Sequence, residues 1–212
     1  MNRHLPASGS RILCMAVTGG IACGKSTFAN FLREFGIEIF DTDAAAHDLQ
    51  KPGGVAVDSI ANLFGRGVLA ADGGVDRSAL GRKVFADPEA LARLNALIHP
   101  LIRESLDAWR AAPLPAGCVA KAALVPLLFE VGWGTDEWDL VVCVACSPGA
   151  QLRRLMMGRG LAEDEARRRV AAQWPVEMKT KRSDLVIYND GDVAELRERA
   201  HEAVVALLEK TA

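Results

Sequence analysis

Gly19, Gly24, Lys25 and Ser26 stand in the spacing G-x-x-x-x-G-K-[ST], and no other feature limits so strongly what this chain can fold into. The pattern is a phosphate-binding loop, which works only between a strand and a helix. The flanks meet that demand: residues 12–17 are a short apolar run of strand type, and Phe28, Phe31 and Leu32 follow at helical spacing. The glycines let backbone N–H groups turn inward around a β-phosphate, and Lys25 brings a compact cation to the β- and γ-phosphates. Gly20, Ile21, Ala22, Cys23, Gly24, Lys25, Ser26 and Thr27 are therefore the candidate ligands of a nucleotide, taken as ATP with its preference over other triphosphates left open, and the Ser26 hydroxyl is the candidate ligand of Mg2+. A dinucleotide-binding G-x-G-x-x-G turn fails, because Ile21 stands two positions after Gly19.

Beyond a stop at Gly36, residues 37–40 predict a second strand that ends at Asp41-Thr-Asp43. Carboxylates at i and i+2 of extended chain point the same way, and ligands of open α/β sheets sit beyond the carboxyl ends of strands. One of these acids is thus expected at the phosphate site, although Asp43 can also cap a helix over 44–50. Lys51-Pro-Gly-Gly54 interrupts the chain, and helices follow over 55–64, 76–85 and 88–109, with a restart or kink at Pro100. Residues 50–115 lack a strand signal and read as a helical insertion whose notable polar residues are Arg77, Arg82, His99 and Arg103. Apolar strands return at 118–125, 139–146 and 184–187, and an amphipathic helix over 192–209 closes the chain. Strands separated by helical segments predict a doubly wound α/β fold with a five-stranded parallel sheet, of phosphate-loop NTPase type, its core comprising 11–49, 116–150 and 184–212.

Half of the 212 residues are hydrophobic, enough for one sizeable core, while a formal net charge of −2 gives no general attraction to nucleic acid or membrane. An anionic ligand must then meet a local basic cluster. Residues 151–182 supply one, with nine basic residues against four acidic ones. Planar arginine forks match the oxygens of a phosphoryl group in transfer, so residues 151–183 are read as a helical lid that excludes water. Five cysteines, odd in number and mostly within apolar runs, point to a reducing compartment. Cys143-Val-Ala-Cys146 has neither a second pair for zinc nor a helix start at its first cysteine, and reads as buried packing. The first apolar run is too short for a secretory signal, so residues 1–10 are expected to be a disordered tail. No stretch approaches the roughly 20 apolar residues of a membrane span. A soluble, cytoplasmic protein is expected, its oligomeric state left open.

The class narrows further. GTPases carry an N/T-K-x-D element late in the chain, where this sequence reads Tyr188-Asn-Asp-Gly-Asp192. Motor-type ATPases end an apolar strand in Asp-Glu, whereas Leu127-Leu-Phe-Glu130 has a single acid. Small size, an Asp after the second strand, a helical insertion and an arginine-rich lid match kinases of small molecules and nucleotides.

Six separated motifs then bring a specific resemblance. Thr18-Gly-Gly-Ile-Ala-Cys-Gly-Lys-Ser-Thr27, Asp41-Thr-Asp43, Ala71-Asp-Gly-Gly-Val-Asp-Arg77, Ile98-His-Pro-Leu-Ile102, Val125-Pro-Leu-Leu-Phe-Glu130 and the late Gln173, Asp184 and Asn189-Asp-Gly191 resemble the dephospho-CoA kinase family. The resemblance implies transfer of the ATP γ-phosphoryl group to the ribose 3′-hydroxyl of dephospho-CoA, the last step of coenzyme A synthesis. It implies that Asp43 orients or deprotonates that hydroxyl, that Arg154 contacts phosphates from the lid, and that Lys25 serves catalysis as well as binding. Thr18, Arg77, His99, Pro126, Leu127 and Glu130 match positions on the acceptor side, and the helical insertion would cradle the pantetheine-bearing substrate. Gly158 falls where family members often have a second lid arginine, with Arg159 one position later. No adenine contact is assigned near Trp174. Two alternatives stay open: a kinase of another nucleotide or small molecule, and a non-catalytic ATP-binding regulator.

Overall fold

The computed structural model describes residues 11–211; the expected tail at 1–10 lies outside them. Five strands build the sheet: β1 (Cys14–Gly19), β2 (Ile37–Asp41), β3 (Ala120–Leu124), β4 (Leu140–Ala145) and β5 (Leu185–Tyr188), in the order β2-β3-β1-β4-β5. β1 runs parallel to β3 and β4, and β5 parallel to β4. Every residue of β1, β3 and β4 is buried, which is why these strands read as apolar runs, broken only by Thr18 and Lys121. The chain winds from β1 to one edge and crosses from β3 to the other side of β1, so the loop after β1 stands where the winding reverses.

The chain divides into two compact units, one of residues 11–40 with 113–211, the other of residues 41–112. In the first, alternation along the strands gives the sheet two unlike faces. Met15, Val17, Ala122, Val142 and Val144 belong to an apolar core with α1 (Lys25–Glu34) and α9 (Val193–Leu208), to which α1 gives Phe28 and Leu32 and α9 gives Leu196, Ala200 and Leu207. The intervening residues are also buried, but include Thr18 and Lys121. Between β4 and β5 run α6 (Pro148–Arg159), α7 (Glu163–Ala171) and α8 (Val176–Thr180). α8 packs on β1 and β4 and buries Lys179 completely.

The second unit is helical, with α2 (Thr42–Asp48), α3 (Val57–Phe64), α4 (Arg77–Val84) and the 24-residue α5 (Pro88–Ala111). α2 and α4 pack on α5. It begins nearer β2 than the expected insertion at residue 50 and so takes in α2. α5 continues past Pro100 instead of restarting there; Ile98, Ile102 and Leu106 bury one stripe across it, and that burial outweighs the lost backbone hydrogen bond. The 65–74 connection holds a short 3-10 turn and an antiparallel bridge between Leu69 and Val75, a pairing without a sequence signal.

Gly19 closes β1 at φ +137°, and a Cβ there would lie 2.0 Å from the Val144 carbonyl oxygen of β4. Gly19→Ala must force the two central strands apart and should cost about 3 kcal/mol. Gly158, in the last turn of α6, meets nothing within 4 Å; Gly158→Ala should instead add about 0.5–1 kcal/mol. Urea unfolding of the two variants checks the opposite signs.

Candidate active site

The loop between β1 and α1 is held by its carbonyls. Lys25 curls back so that its Nζ donates to the Gly19 and Gly20 oxygens at 2.9 and 2.8 Å. Gln151 Nε2 of α6 donates to the Ile21 oxygen at 2.9 Å, and Arg154 Nη1 to the Ala22 oxygen at 3.3 Å. Asn189 Nδ2, just beyond β5, donates to the Cys23 oxygen at 2.8 Å, and the Gly24 oxygen accepts the Phe28 N–H of the first helical turn. Each carbonyl from Gly19 to Gly24 therefore has a donor. A peptide plane whose oxygen is held to one side presents its N–H to the other, and successive N–H groups so turned form an anion-binding nest. Ala22 at φ +59° and Gly24 at φ +98° supply the left-handed residues that such a turn requires. The exceptions are the Ile21 N–H, which donates to Gln173 Oε1 at 2.9 Å, and the Cys23 N–H, which donates to the Gly20 oxygen at 3.3 Å.

α1 adds to this. Asp41, Asp76, Asp87, Ser147 and Asp192 cap α2, α4, α5, α6 and α9 through their side chains, and the uncapped α3, α7 and α8 carry acids in their first turns. Among the described α-helices only α1 starts with neither. Its N-cap, Gly24, makes no side-chain cap bond to the first turn, which carries the positive end of the helix dipole with Ser26 and Thr27 exposed beside it. An anion is what this helix end binds best.

Arg154 is fixed where it stands. Its Nη2 donates to the Asn189 oxygen at 2.8 Å while Nη1 holds Ala22. The remaining charge of residues 151–182 divides into unlike groups. Arg167 and Arg169 pair with Glu163 and Glu165, each one turn back along α7, Arg182 lies 4.7 Å over the Trp174 ring, and Lys179 is inside. The charges of α7 are thus those of a solvated helix, and Arg153 and Arg159 are the exposed cations of α6.

A second polar group links the end of β3 to α8. The Pro126 oxygen accepts from Thr18 Oγ1 at 3.3 Å and from Lys179 Nζ at 2.8 Å. Lys179 Nζ lies 2.7 Å from Glu130 Oε1, which also accepts the Trp174 N–H at 3.0 Å. Glu130 Oε2 is buried without a hydrogen-bond partner among the described residues, and Leu127 is exposed. Of the residues singled out in the sequence, the structure thus joins Thr18, Pro126 and Glu130 in one network and Lys25 and Arg154 in the loop. Gln151 and Lys179 are functional neighbours that sequence reasoning missed. Their only signal is a polar side chain at a buried helical position, which periodicity alone does not separate from a solvated one.

In the helical unit, Asp43 sits in the first turn of α2, where its own N–H donates to the Asp41 carboxylate at 2.9 Å. Asp41, not Asp43, is the cap. The two acids are also not i and i+2 on one strand, because β2 ends at Asp41 and Asp43 is already helical. Arg77 opens α4 behind the Asp76 cap. His99, on α5, is half-buried, and burial holds its imidazole below the ordinary range, so it is neutral near neutrality. Arg103 pairs with Asp107 one turn on, and Arg82 lies in the last turn of α4.

A parallel sheet, a loop with its N–H groups turned inward, an open helix end and a fixed arginine together define a phosphate-loop kinase. The dephospho-CoA kinase family model matches residues 13–195. A dephospho-CoA kinase of Geobacillus kaustophilus is 40% identical over 198 residues, covering 93% of this chain and 96% of that one, and one of Geobacter sulfurreducens is 40% identical over 188 residues, covering 89% and 95%. A crystal structure from Thermus thermophilus superposes with a TM-score of 0.80 at 34% identity, covering 93% of this chain and 98% of that one. The chain belongs to the dephospho-CoA kinase family.

Lys179→Met leaves the Glu130 carboxylate buried without its cation and should destabilise the protein by about 3–5 kcal/mol, whereas adding Glu130→Leu should recover most of that loss. Thermal unfolding of the single and double variants checks it; equal losses would remove the ion pair from the account.

Proposed function

We propose that this chain transfers the γ-phosphoryl group of ATP to the ribose 3′-hydroxyl of dephospho-CoA, giving coenzyme A in the last step of its synthesis. The observation that carries the reading is the start of α1, uncapped and without acids, behind a loop whose carbonyls are all bound from outside. Phosphates of ATP complete that helix end. Lys25 already lies across the loop and moves its charge onto the β- and γ-phosphates, and Arg154, held by two backbone oxygens, meets charge that develops during transfer without having to be ordered first.

Magnesium fits as a partner of the nucleotide. Among the described residues no group of three or more His, Cys, Asp or Glu could hold a metal alone, and the exposed Ser26 hydroxyl suits an ion bound mainly by phosphate oxygens and water. When bound, it neutralises phosphate charge. Asp43 is the acceptor's orienter or base. Arg77 and neutral His99 serve acceptor binding from the helical unit, and Thr18, Pro126, Leu127 and Glu130 from the sheet, where Glu130 keeps a buried oxygen for a donor. Residues 151–183 act as the lid. No helix among the described residues is long and apolar enough to cross a membrane, and we assign the protein to the cytoplasm, where thiols stay reduced.

A coupled ADP-release assay with Mg2+ and ATP tests this, comparing dephospho-CoA with adenosine, AMP and no acceptor. ADP should form only with dephospho-CoA, beside a product of coenzyme A mass. Turnover with AMP or adenosine alone would keep the kinase and discard its acceptor, and tight ATP binding without turnover would favour a regulator. Asp43→Ala should lower kcat about 10²–10⁴-fold with little change in ATP affinity, while Lys25→Ala should weaken both.

A further inference from the structure

Cys143 and Cys146, the nominal C-x-x-C of the sequence, lie on opposite faces of β4 and its continuation, and Cys146 meets a different cysteine. Its Sγ lies 3.3 Å from Sγ of Cys23, in the middle of the phosphate-binding loop. Both side chains are buried, at 0% and 5% exposure, and neither is bonded to any cysteine. We propose that Cys23 and Cys146 form an oxidation site that takes hydrogen peroxide, becomes a disulfide, and thereby withdraws the loop from nucleotide binding.

Three features beyond proximity support the pair. The sulfurs need approach by only a little more than about 1 Å to reach the disulfide bond length of about 2.05 Å. They are also unlike. The Cys23 thiol is pulled below the ordinary range, chiefly by the S–H that Cys146 donates to it and further by the Lys25 charge, with burial opposing. The Cys146 thiol is pushed up, first because it gives that hydrogen bond and then by burial. Cys23 is thus the attacking thiolate and Cys146 the resolving thiol. The third feature is a cavity of about 270 Å³, lined by Cys146 together with Gly20, Gln151, Gln173, Trp174 and Val176, which admits a small uncharged oxidant from the Cys146 side, with the Cys23 sulfur 3.3 Å behind it.

The chemistry closes. The Cys23 thiolate attacks one peroxide oxygen, the O–O bond breaks, and the departing hydroxide takes a proton to become water, leaving a sulfenic acid on Cys23. The Cys146 sulfur then attacks the Cys23 sulfur. The S–S bond forms, the S–O bond breaks, and the hydroxyl leaves as a second water with the Cys146 proton. Two thiols lose two electrons and two protons, and one peroxide becomes two waters. Because Cys23 carries one of the held carbonyls, drawing its sulfur toward Cys146 shifts the peptide that Asn189 positions.

The effect on nucleotide rests on the function proposed above; the bond itself does not. The full-length chain is treated with hydrogen peroxide, then blocked with maleimide, weighed intact and peptide-mapped. The expected result is a loss of two hydrogens and of two blockable thiols, a cross-linked peptide joining Cys23 to Cys146, and a roughly 5- to 150-fold fall in ATP affinity, the usual span of coupling between two sites, all restored by dithiothreitol. Cys146→Ser protein treated alike should give oxidised Cys23 monomer peptides and no cross-link. A link from either cysteine to Cys14, Cys118 or Cys143, or oxidation of Cys118 while Cys23 and Cys146 both stay reduced, would overturn the site. A Cys23–Cys146 link with ATP affinity unchanged would overturn the switch. Should the reduced protein fail to bind ATP, the kinase reading fails, while the peptide map still decides the bond.

Discussion

The structure depends on the direction of six peptide planes. From Gly19 to Gly24 every backbone oxygen is held by a donor: those of Gly19, Gly20 and Gly24 by Lys25 and Phe28 of the next helix, and those of Ile21, Ala22 and Cys23 from far along the chain, by Gln151 and Arg154 of α6 and Asn189 beyond β5. A glycine-rich turn in isolation has many conformations. Here α6 and the end of the last strand select one of them. Ser147, which caps α6, receives its own support from Asp190, whose carboxylate accepts the Ser147 N–H and Oγ–H. These bonds, chiefly the one from the N–H, hold the Asp190 carboxyl below the usual carboxylate range. The loop, the start of α6 and the end of β5 are thus one hydrogen-bonded assembly.

The opposite face of the sheet solves another problem. It buries Thr18, Lys121 and Lys179, and buried charges must be paired. Lys179 finds Glu130 and the Pro126 oxygen, and the same contacts fasten α8 to the end of β3. Trp174 completes the connection, stacked 6.4 Å from Phe129 and with the Arg182 guanidinium 4.7 Å over its ring. Packing of this kind sets where the α6–α8 segment rejoins the sheet.

Much of this was legible beforehand, and for physical reasons. Buried parallel strands announce themselves as apolar runs, so all five lie within a few residues of their expected positions. Asp76 and Asp192 begin helices as capping chemistry demands. The phosphate loop was evident because its backbone geometry admits so few residue types. What sequence could not supply were partners: Gln151 is 130 positions from Ile21, and Lys179 is 53 from Pro126, separations at which no periodicity speaks. Asp43 shows the same limit at short range. With two acids two residues apart, the capping role depends on where β2 stops, and β2 stops one residue later than its apolar run suggests, giving the cap to Asp41. At Pro100 local preference lost to the buried stripe of α5.

The bare beginning of α1 has a thermodynamic corollary. A helix whose first turn has neither cap nor acid is incomplete as built, and an anion that seats there supplies acceptors that every capped helix of this chain carries in its own sequence. Such a ligand binds the folded chain and not the unfolded one, so it raises stability with the logarithm of its free concentration. α1 packs on α9 and gives Phe28 and Leu32 to the core, and the reinforcement therefore reaches well beyond the loop. The durability of this fold is in that sense partly a property of the solution around it, rising and falling with the supply of the phosphate compound that finishes its first helix.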